Sequence, residues 1–327
     1  MKVGLIGTGL IGTKRSEVFQ KYTKDKLAVV ADLDYRKAKK LAENFNCAAT
    51  TSWEEVVADN NLGAIIVSTT NQWLSRISLQ ALKSGKHVLC EKPLGKNLVE
   101  IEECIKIAER KRVVYKGGYN HRFHPAINKA YKLFSSGRIG RFMYIKAAYG
   151  HGGRPGYDEE WRVRREISGG GELIDQGSHL IDLAIWFMGQ SFKEIKFELQ
   201  TAFWKIRVED NAFLLLRNKK GVALLHASWT QWKNSFLFEI FGSEGYLVIE
   251  GLGGSYGKET LTLGIRNPGR APKEKFWKFS GEDISWLEEW KNFKGAINKK
   301  LSVCGSGEDG LKTMAVIKKI YEHGTNL

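Results

Sequence analysis

The chain opens on MKVGLIGTGLIGTKRSEVF at residues 1–19, and this stretch decides the fold of its first part. Lys2–Ile6 is a short apolar run that predicts a strand, and a helical pattern begins soon after it. Between the two lies GTGLIG at residues 7–12, which fits the spacing G-x-G-x-x-G. In a strand–turn–helix setting this spacing indicates a dinucleotide-binding βαβ unit.

The glycine motif also predicts where a pyrophosphate binds. Glycine allows the backbone to approach the phosphates closely, and the N-terminus of the following helix stabilises their negative charge. We expect the cofactor to contact Gly7, Gly9, Leu10, Ile11 and Gly12.

The choice between NAD and NADP rests on Asp32, which lies about twenty residues beyond the motif at the end of the next predicted strand. Its carboxylate can accept hydrogen bonds from the adenosine ribose and would repel a 2′-phosphate, so the sequence favours NAD. Asp34 is the alternative for the ribose contact. Arg36 and Lys37 are the residues that could accommodate a 2′-phosphate.

Short strands alternate with helical patterns as far as about residue 120. The predicted strands are Lys2–Ile6, Leu27–Ala31, Ala64–Ser68, His87–Leu89 and Val113–Lys116. Such alternation predicts right-handed crossovers and a doubly wound parallel sheet. We therefore predict a Rossmann domain over residues 1–120.

Strand-like runs dominate the remainder, which we predict to be one α+β domain over residues 121–327. They are Arg141–Tyr149, Glu194–Trp204, Ala212–Arg217, Val222–Thr230, Phe236–Phe241, Tyr246–Glu250 and Thr260–Ile265. Turns at residues 218–221 and 242–245 indicate an antiparallel meander. The fold class is thus α/β, with a second domain built on a large, mostly antiparallel open sheet. One face of that sheet needs a cover, which predicts a homo-oligomer, a dimer or tetramer formed through the sheet.

Composition narrows the class of protein. Hydrophobic residues make up 43% and charged residues 27% of 327, as in ordinary globular proteins. No apolar run reaches the roughly 18 residues of a membrane span, and no signal-peptide pattern is present, so we expect a cytoplasmic protein without a membrane partner. Cys47, Cys90, Cys104 and Cys304 form no C-x-x-C pair, and we expect neither a metal site nor disulfides.

The net charge of +15 is spread along the chain and accompanies no nucleic-acid-binding motif. We therefore expect no nucleic-acid partner. A small anionic substrate is the alternative source of such a charge, and a generally lysine-rich composition is another.

Two further motifs carry a resemblance to a known family. HVLCEKPL at residues 87–94 contains E-K-P, and GGELIDQGSH at residues 170–179 fits G-G-x-x-x-D-x-x-x-H. Asn120-His121-Arg122-Phe123 fits the junction between the two domains. Together with the glycine motif, these segments resemble the glucose–fructose oxidoreductase, inositol dehydrogenase and rhizopine catabolism family (Gfo/Idh/MocA) over nearly the whole chain.

The resemblance implies an NAD-dependent dehydrogenase of sugars or polyols. It implies that Lys92 lies beside the nicotinamide and the reacting hydroxyl, with Asp175 and His179 facing it from the second domain. It also implies cofactor contacts from Thr69, Asn71, Glu91 and Lys92. Thr70 stands where relatives often carry proline, so the loop after the fourth strand departs from the family pattern.

The residue types suit this chemistry. Alcohol oxidation needs a base for the hydroxyl proton, and histidine has an unperturbed pKa near ~6.5. Asp175 and His179 are four residues apart, so a helix would place both on one face. A lysine supplies positive charge where alkoxide character develops. We predict Lys92, His179 and Asp175 as catalytic residues, and the predicted substrate contacts are Lys92, Asn120, Arg122, Arg164, Asp175 and His179.

The substrate is left open between anionic and neutral sugars. An arginine-rich stretch precedes Asp175 and could bind a nucleotide-linked sugar, or it could be a solvated loop paired with nearby acids: Arg154, Arg162, Arg164 and Arg165. Four aromatic residues could stack on a sugar or belong to the core or a subunit interface: Trp204, Trp229, Trp232 and Phe236. The alternative functions are an inositol or hexose dehydrogenase, an NAD-dependent glycosidase and a catalytically silent sensor. If His179 is not the base, His151 and Tyr157 are the next candidates.

Overall fold

The computed structural model describes residues 1–21 and 23–324, which form two compact units. The first unit consists of Met1–Tyr119 and Trp286–Leu311, and the second of Asn120–Ser285 and the chain from Lys312 onwards. Residues 286–311, which were predicted as part of the second domain, cluster with the first. Within the described ranges, no helix combines the length and apolar character that crossing a bilayer requires.

The first unit contains a parallel sheet of six strands in the order β3-β2-β1-β4-β5-β6. Its elements are β1 (Lys2–Ile6), α1 (Leu10–Lys21), β2 (Lys26–Ala31), α2 (Tyr35–Phe45), β3 (Ala48–Thr50), α3 (Trp53–Ala58), β4 (Ala64–Val67), α4 (Asn71–Lys83), β5 (His87–Glu91), α5 (Leu98–Lys111) and β6 (Tyr115–Gly118). The strand order reverses at β1 and β4, and this confirms the predicted doubly wound Rossmann sheet. Helices follow the strands because buried β-branched runs such as Ala64–Val67 alternate with segments that have one apolar face.

A helix from the C-terminal part of the chain completes the core of the first unit. Its apolar residues Trp290 and Phe293 are buried against Val18, Phe19 and Val30. This helix spans Ser285–Ile297 and becomes α9 in chain order. Its large apolar residues have helical spacing, a signal that the predicted elements of the second domain did not include.

The second unit is built on a mixed sheet of eight strands in the order β14-β13-β12-β11-β7-β10-β9-β8, in which only β7 and β10 run parallel among the described residues. Its elements are α6 (Pro125–Ser135), β7 (Phe142–Gly150), α7 (Arg165–Ser168), a π-helical turn (Leu173–Gly177), α8 (Ser178–Met188), β8 (Glu194–Gln200), β9 (Asn211–Asn218), β10 (Gly221–Ser228), β11 (Ser235–Gly242), β12 (Gly245–Glu250), β13 (Glu259–Ile265) and β14 (Lys273–Phe279). Short 3₁₀ turns lie at Asn120–Phe123, Tyr157–Glu159 and Trp161–Val163, and α10 spans Gly307–His323. The predicted open, mostly antiparallel sheet is confirmed, as are both hairpin turns.

One predicted strand ends earlier than expected. The sequence favoured a strand as far as Trp204, whereas β8 ends at Gln200. The backbone N–H groups of Ala202, Phe203 and Trp204 donate to the buried carboxylate of Asp210 at 2.8, 2.8 and 3.0 Å. They are therefore bonded to a side chain and do not continue the strand ladder.

The two faces of the second sheet differ. Helix α8 and the π-helical turn pack against β7 and β10 on one face, and α6 packs against β12 and β13. On the other face, Phe213, Leu215 and Leu224 remain 39%, 42% and 49% exposed. Leu215 and Leu224 pair directly across β9 and β10, so these exposed side chains form one apolar area.

Candidate active site

Two glycines of the motif at residues 7–12 are required by protein packing, and one is not. A Cβ on Gly7, whose φ is +93°, would lie 2.4 Å from the carbonyl oxygen of Ser68. A Cβ on Gly12 would lie 2.0 Å from the carbonyl oxygen of Gly7. A Cβ on Gly9 would meet no protein atom within 4 Å. The space beside Gly9, just before the first residue of α1, Leu10, is therefore open, as the predicted approach of a pyrophosphate requires.

Asp32 is bound to the same loop. Its carboxylate accepts hydrogen bonds from the backbone N–H and the hydroxyl of Thr8, both at 2.8 Å, and from the N–H of Asp34 at 3.0 Å. Asp34 instead caps α2, because its side chain accepts from the N–H of Arg36 at 3.0 Å. The Asp34 carboxylate is also 3.6 Å from the guanidinium of Arg36 and 3.9 Å from the ammonium of Lys37. Asp32 therefore remains the better candidate for the ribose contact.

The loop after β4 lies against the glycine motif. Ser68 donates a hydrogen bond from its hydroxyl to the carbonyl oxygen of Gly7 at 2.8 Å. The backbone nitrogen of Thr69 is 3.0 Å from the place a Cβ on Gly7 would occupy, and Asn71 is buried at the start of α4. Thr69 and Asn71 therefore belong to the loop and helix start beside the glycine motif. Their contacts with the cofactor stay predictions.

Glu91 of E-K-P is held by buried charges. It forms an ion pair with Arg15 of α1, and the guanidinium of Arg15 is also 2.8 Å from the carboxylate of Glu289 in α9. Burial raises the pKa of the Glu91 carboxyl, and the charge of Arg15 opposes that rise. Lys92 follows Glu91 directly and is partly exposed, so this cluster fixes the end of the strand just before Lys92.

Two more residues belong to the same cluster. The ammonium of Lys116, which is fully buried, is 3.9 Å from the carboxylate of Glu289. A Cβ on Gly118 would lie 2.5 Å from a guanidinium nitrogen of Arg15, so the glycine makes room for the ion pair. The cluster thus combines two cations and two carboxylates, a balance that burial of charge requires.

Asp175 and His179 lie at the start of a helical segment in the second unit. Asp175 is in the π-helical turn and its side chain is 21% exposed, whereas His179 lies in the first turn of α8 and is 6% exposed. π-helical turns are rare and are frequent at functional sites. Both residues therefore belong to one continuous segment with unusual backbone geometry.

The two glycines of the second signature make close contacts possible. A Cβ on Gly170 would lie 1.9 Å from the hydroxyl of Tyr321, and one on Gly171 would lie 2.1 Å from the carbonyl oxygen of Glu209. The buried carboxylate of Glu209 accepts hydrogen bonds from the N–H groups of Gly171 and Leu173 and from the hydroxyl of Tyr321, at 3.0, 3.1 and 2.6 Å. Glu209 and Tyr321 thus fix the entry to the segment that carries Asp175.

A second histidine, which the predicted site did not include, stacks on His179. The rings of His121 and His179 are 3.7 Å apart and inclined by 19°. The Nδ1 atom of His121 is 3.2 Å from the side-chain oxygen of Asn120, whose amide nitrogen donates to Ser285 at 3.1 Å. This orientation of the amide places the ring proton of a neutral His121 on Nδ1. The sequence predicted His121 only as part of the segment that joins the two domains. No local pattern contains its contact with His179, which is what brings it to the site.

Arg122 and Arg164, predicted as substrate contacts, have different surroundings. The Arg122 guanidinium is buried and forms a two-pronged ion pair with Asp182 at 2.8 and 2.6 Å. This pairing favours a role in holding the 3₁₀ turn of Asn120–Phe123 against α8. Arg164 is exposed, at the start of α7. Direct substrate contact stays a prediction for both.

Arg162, rather than Arg164, is paired with Asp175. Its guanidinium is 3.5 Å from the carboxylate of Asp175 and 3.1 Å from that of Glu160. Glu160 also forms an ion pair with Arg154. For Arg154 and Arg162 the structure therefore favours the paired-loop interpretation over free anion binding.

The two reserve candidates for the base are poorly suited. Burial raises the pKa of the Tyr157 phenol further above neutral pH. The Nδ1 atom of His151 accepts a hydrogen bond from the N–H of Gly153 at 2.9 Å, so Nε2 carries the proton of the neutral ring. Burial also lowers the pKa of His151. His179 is thus the better candidate for the base.

Comparison with known proteins gives two family matches. The profile of an oxidoreductase family with an NAD-binding Rossmann fold matches residues 1–119, and that of the GFO/IDH/MocA C-terminal domain matches residues 127–248. Myo-inositol 2-dehydrogenase from Thermotoga maritima is 25% identical over 317 residues, 95% of this chain and 92% of the relative.

Two solved structures share the fold. Levoglucosan dehydrogenase in complex with NADH has a TM-score of 0.89 at 23% identity, covering 99% of this chain and 97% of that one. A UDP-N-acetylglucosamine 3-dehydrogenase from Acidithiobacillus ferrooxidans has a TM-score of 0.82 at 22% identity, covering 98% and 96%.

Proposed function

Because the chain belongs to the Gfo/Idh/MocA family of oxidoreductases and carries an NAD-binding Rossmann domain, we propose that it oxidises a secondary alcohol of a sugar or polyol. The observation that carries this proposal is the buried stack of His179 on His121 in the segment that also holds Asp175. Stacking fixes the plane of the His179 ring, as a general base that must face its substrate requires. The predicted cytoplasmic location fits an enzyme that uses free NAD.

Each predicted catalytic residue has a distinct task. His179 accepts the proton of the reacting hydroxyl, and His121 holds the plane of that ring by stacking. Asp175, paired with Arg162, orients a neighbouring sugar hydroxyl. Lys92 stabilises the negative charge that develops on the oxygen as its proton leaves. Bound NAD supplies the acceptor for the hydride from carbon, which completes a two-electron oxidation.

A screen of sugars tests the proposal. Purified protein is mixed with NAD and with free inositols, hexoses, 1,5-anhydro sugars and nucleotide-linked sugars, and NADH absorbance is followed. We expect NADH with at least one class of sugar and formation slower by roughly 100-fold or more with the His179→Ala variant. Failure of every class in both directions of the reaction would contradict the proposed function.

We further propose that the substrate is anionic, as a nucleotide-linked sugar is. The support is the net charge of +15 and the exposed arginines Arg164 and Arg165 immediately before the Gly170–His179 segment. Arg154 and Arg162 support it less, since both pair with Glu160. Replacing Arg164 and Arg165 by alanine should raise KM for a nucleotide-linked sugar and leave kcat nearly unchanged, as loss of uniform binding does. A neutral inositol preferred tenfold or more in kcat/KM would overturn this choice.

The exposed apolar area on the second sheet supports a homo-oligomer. Phe213, Leu215 and Leu224 are too exposed for core residues, and adjacent apolar side chains on one sheet face are typical of subunit contacts. We expect Leu215→Asp to lower the solution mass measured by light scattering to that of one chain. An unchanged mass would assign the association to another surface.

A further inference from the structure

Two exposed aromatic residues of the second unit have no role in the site described above. Of the four aromatic residues that the sequence suggested for sugar stacking, Trp229 and Phe236 are buried at 0% and 3% exposure. Trp232 is 68% exposed, and Phe203, which is 58% exposed, contacts it with ring centres 4.8 Å apart. We call Phe203 and Trp232 the aromatic shelf. Because the two exposed rings touch, they form a continuous apolar patch, and such patches are typical of binding surfaces.

The shelf is held in place from below. The N–H of Phe203 is bonded to the buried carboxylate of Asp210, and the indole N–H of Trp204 donates to the carbonyl oxygen of Trp229 at 3.0 Å. A Cβ on Gly152 would lie 3.1 Å from the ring of Trp232, so the loop that begins after β7 packs directly against the shelf. A fixed platform loses little conformational entropy when a ligand binds.

A series of contacts within the second unit links the shelf to His179. Asn234, two residues after Trp232, donates to the carbonyl oxygen of Ser255 at 3.2 Å. The next residue, Tyr256, accepts a hydrogen bond from Gln176 at 2.9 Å and packs on Tyr149 with ring centres 4.8 Å apart. The ring of Tyr149 is in turn 6.3 Å from that of His179.

The loop on the other side of the shelf leads to Asp175. It contains Gly152, which contacts Trp232, and Arg162, which pairs with Asp175. Two loops of the second unit therefore link the shelf to the segment that carries Asp175 and His179.

Cations accompany the aromatic rings. Lys205 and Lys233 are exposed, and each lies within two residues of the shelf in the chain. Among the described residues neither forms an ion pair. The acids in the neighbouring loop are Asp158 and Glu159, both exposed, and Glu160, which is already paired with two arginines. Flat rings beside free cations match a base and its phosphates, since bases stack on aromatic side chains and ammonium groups attract phosphate.

We propose that the aromatic shelf is a second subsite, which binds the nucleoside diphosphate part of a nucleotide-linked sugar. The base stacks on Trp232, and Lys205 and Lys233 attract the diphosphate. The inference rests on the proposed sugar dehydrogenase function. It adds the residues that recognise the nucleoside diphosphate to which the sugar is linked, rather than the sugar itself.

Calorimetric titration of the NADH-loaded protein with UDP and with GDP tests the shelf without requiring turnover. Trp232→Ala should weaken binding roughly tenfold or more, because loss of one stacked base typically costs that much. Phe276→Ala is the matched control, since Phe276 is 51% exposed in β14 of the same unit, and we expect it to bind like the wild type. Lys205→Ala with Lys233→Ala should weaken binding and reduce its dependence on salt.

The proposal is overturned if the wild type binds neither nucleotide, or if the Trp232→Ala and Phe276→Ala variants bind equally well. It is also overturned if Trp232→Ala has a lower solution mass, because a second copy of the chain would then cover the shelf. The outcome is separable from that of the proposed function. Nucleotide binding without any sugar oxidation would contradict the dehydrogenase function and support the shelf as a nucleotide subsite. Oxidation of free sugars without nucleotide binding would support the function and contradict the subsite.

Discussion

The E-K-P segment of the first unit and the D-x-x-x-H segment of the second hold their functional residues in different ways. Glu91 is fixed by buried charges on α1 and α9, with Arg15 between two carboxylates. His179 is fixed by a stacked ring, and the entry to its helix is fixed by hydrogen bonds to Glu209. The first segment thus depends on balanced charge and the second on close contact. Changes to charge should therefore disturb the first unit most, and changes of shape the second.

The largest effect is expected where the chemistry is done. His179→Ala or Lys92→Ala should lower kcat by roughly 10²- to 10⁴-fold, because each removes a group that acts on the reacting proton or charge. Affinity for NAD should change little, since neither residue belongs to the glycine motif. His323→Ala, at the exposed end of α10, is the control. Near-normal turnover by His179→Ala would mean that the base lies elsewhere.

The next largest effect tests the buried charges. Glu289→Gln leaves Arg15 and Lys116 with one carboxylate fewer, and removal of one partner of a buried ion pair typically costs about 3–5 kcal/mol. Glu288→Gln is the matched control one residue away, because Glu288 is partly exposed and, among the described residues, pairs only with Lys291 on the surface, a contact worth about 0–1 kcal/mol. The free energy of unfolding in urea measures both. Equal losses of unfolding free energy in the two variants would contradict the claim that buried charges hold the E-K-P segment.

The sequence could predict the local features of the molecule but not the contacts that fix the two segments. The glycine motif, Asp32 and the parallel sheet depend on local backbone geometry, which the spacing of residues reveals. The ion pair of Arg15 with Glu289 in α9 and the stacking of His121 on His179 join residues far apart in the chain. No local pattern contains such contacts. The spacing of Trp290 and Phe293 is enough to predict a helix, but it does not show what that helix packs against.

Asp32→Ala gives a smaller effect in the first unit. Loss of hydrogen bonds to a charged group should weaken NAD binding by roughly tenfold. The repulsion of a 2′-phosphate disappears at the same time, so the preference for NAD over NADP should narrow. Titration of both cofactors measures this. Unchanged discrimination would transfer the ribose contact to Asp34.

The smallest effect is one of pH. Burial alone would raise the pKa of Asp25, but hydrogen bonds from Lys294, the N-terminal amine and Trp290 lower it to about 2. A carboxyl whose pKa is lower in the folded state stabilises that state above its unfolded pKa of about 4. This stabilisation is lost as the pH falls from about 4 to about 2.

Asp25→Asn should therefore flatten the dependence of the unfolding free energy on pH in that acid range. Asp158→Asn, at an exposed position of the second unit, should leave the dependence as it is. An equal acid dependence in the wild type and in Asp25→Asn would show that α9 is held by packing rather than by charge.

The stoichiometry of the reaction tests the central claim most directly. With the best sugar from the screen, NADH is followed by absorbance while mass spectrometry follows the sugar. The account predicts one NADH for each sugar converted and a product two hydrogens lighter, because one hydrogen leaves the carbon and one leaves its hydroxyl as the ketone forms. His179→Ala should lower the rate by roughly 100-fold or more. Cleavage of a glycosidic bond without net NADH would contradict it and identify a glycosidase that returns the hydride to its substrate.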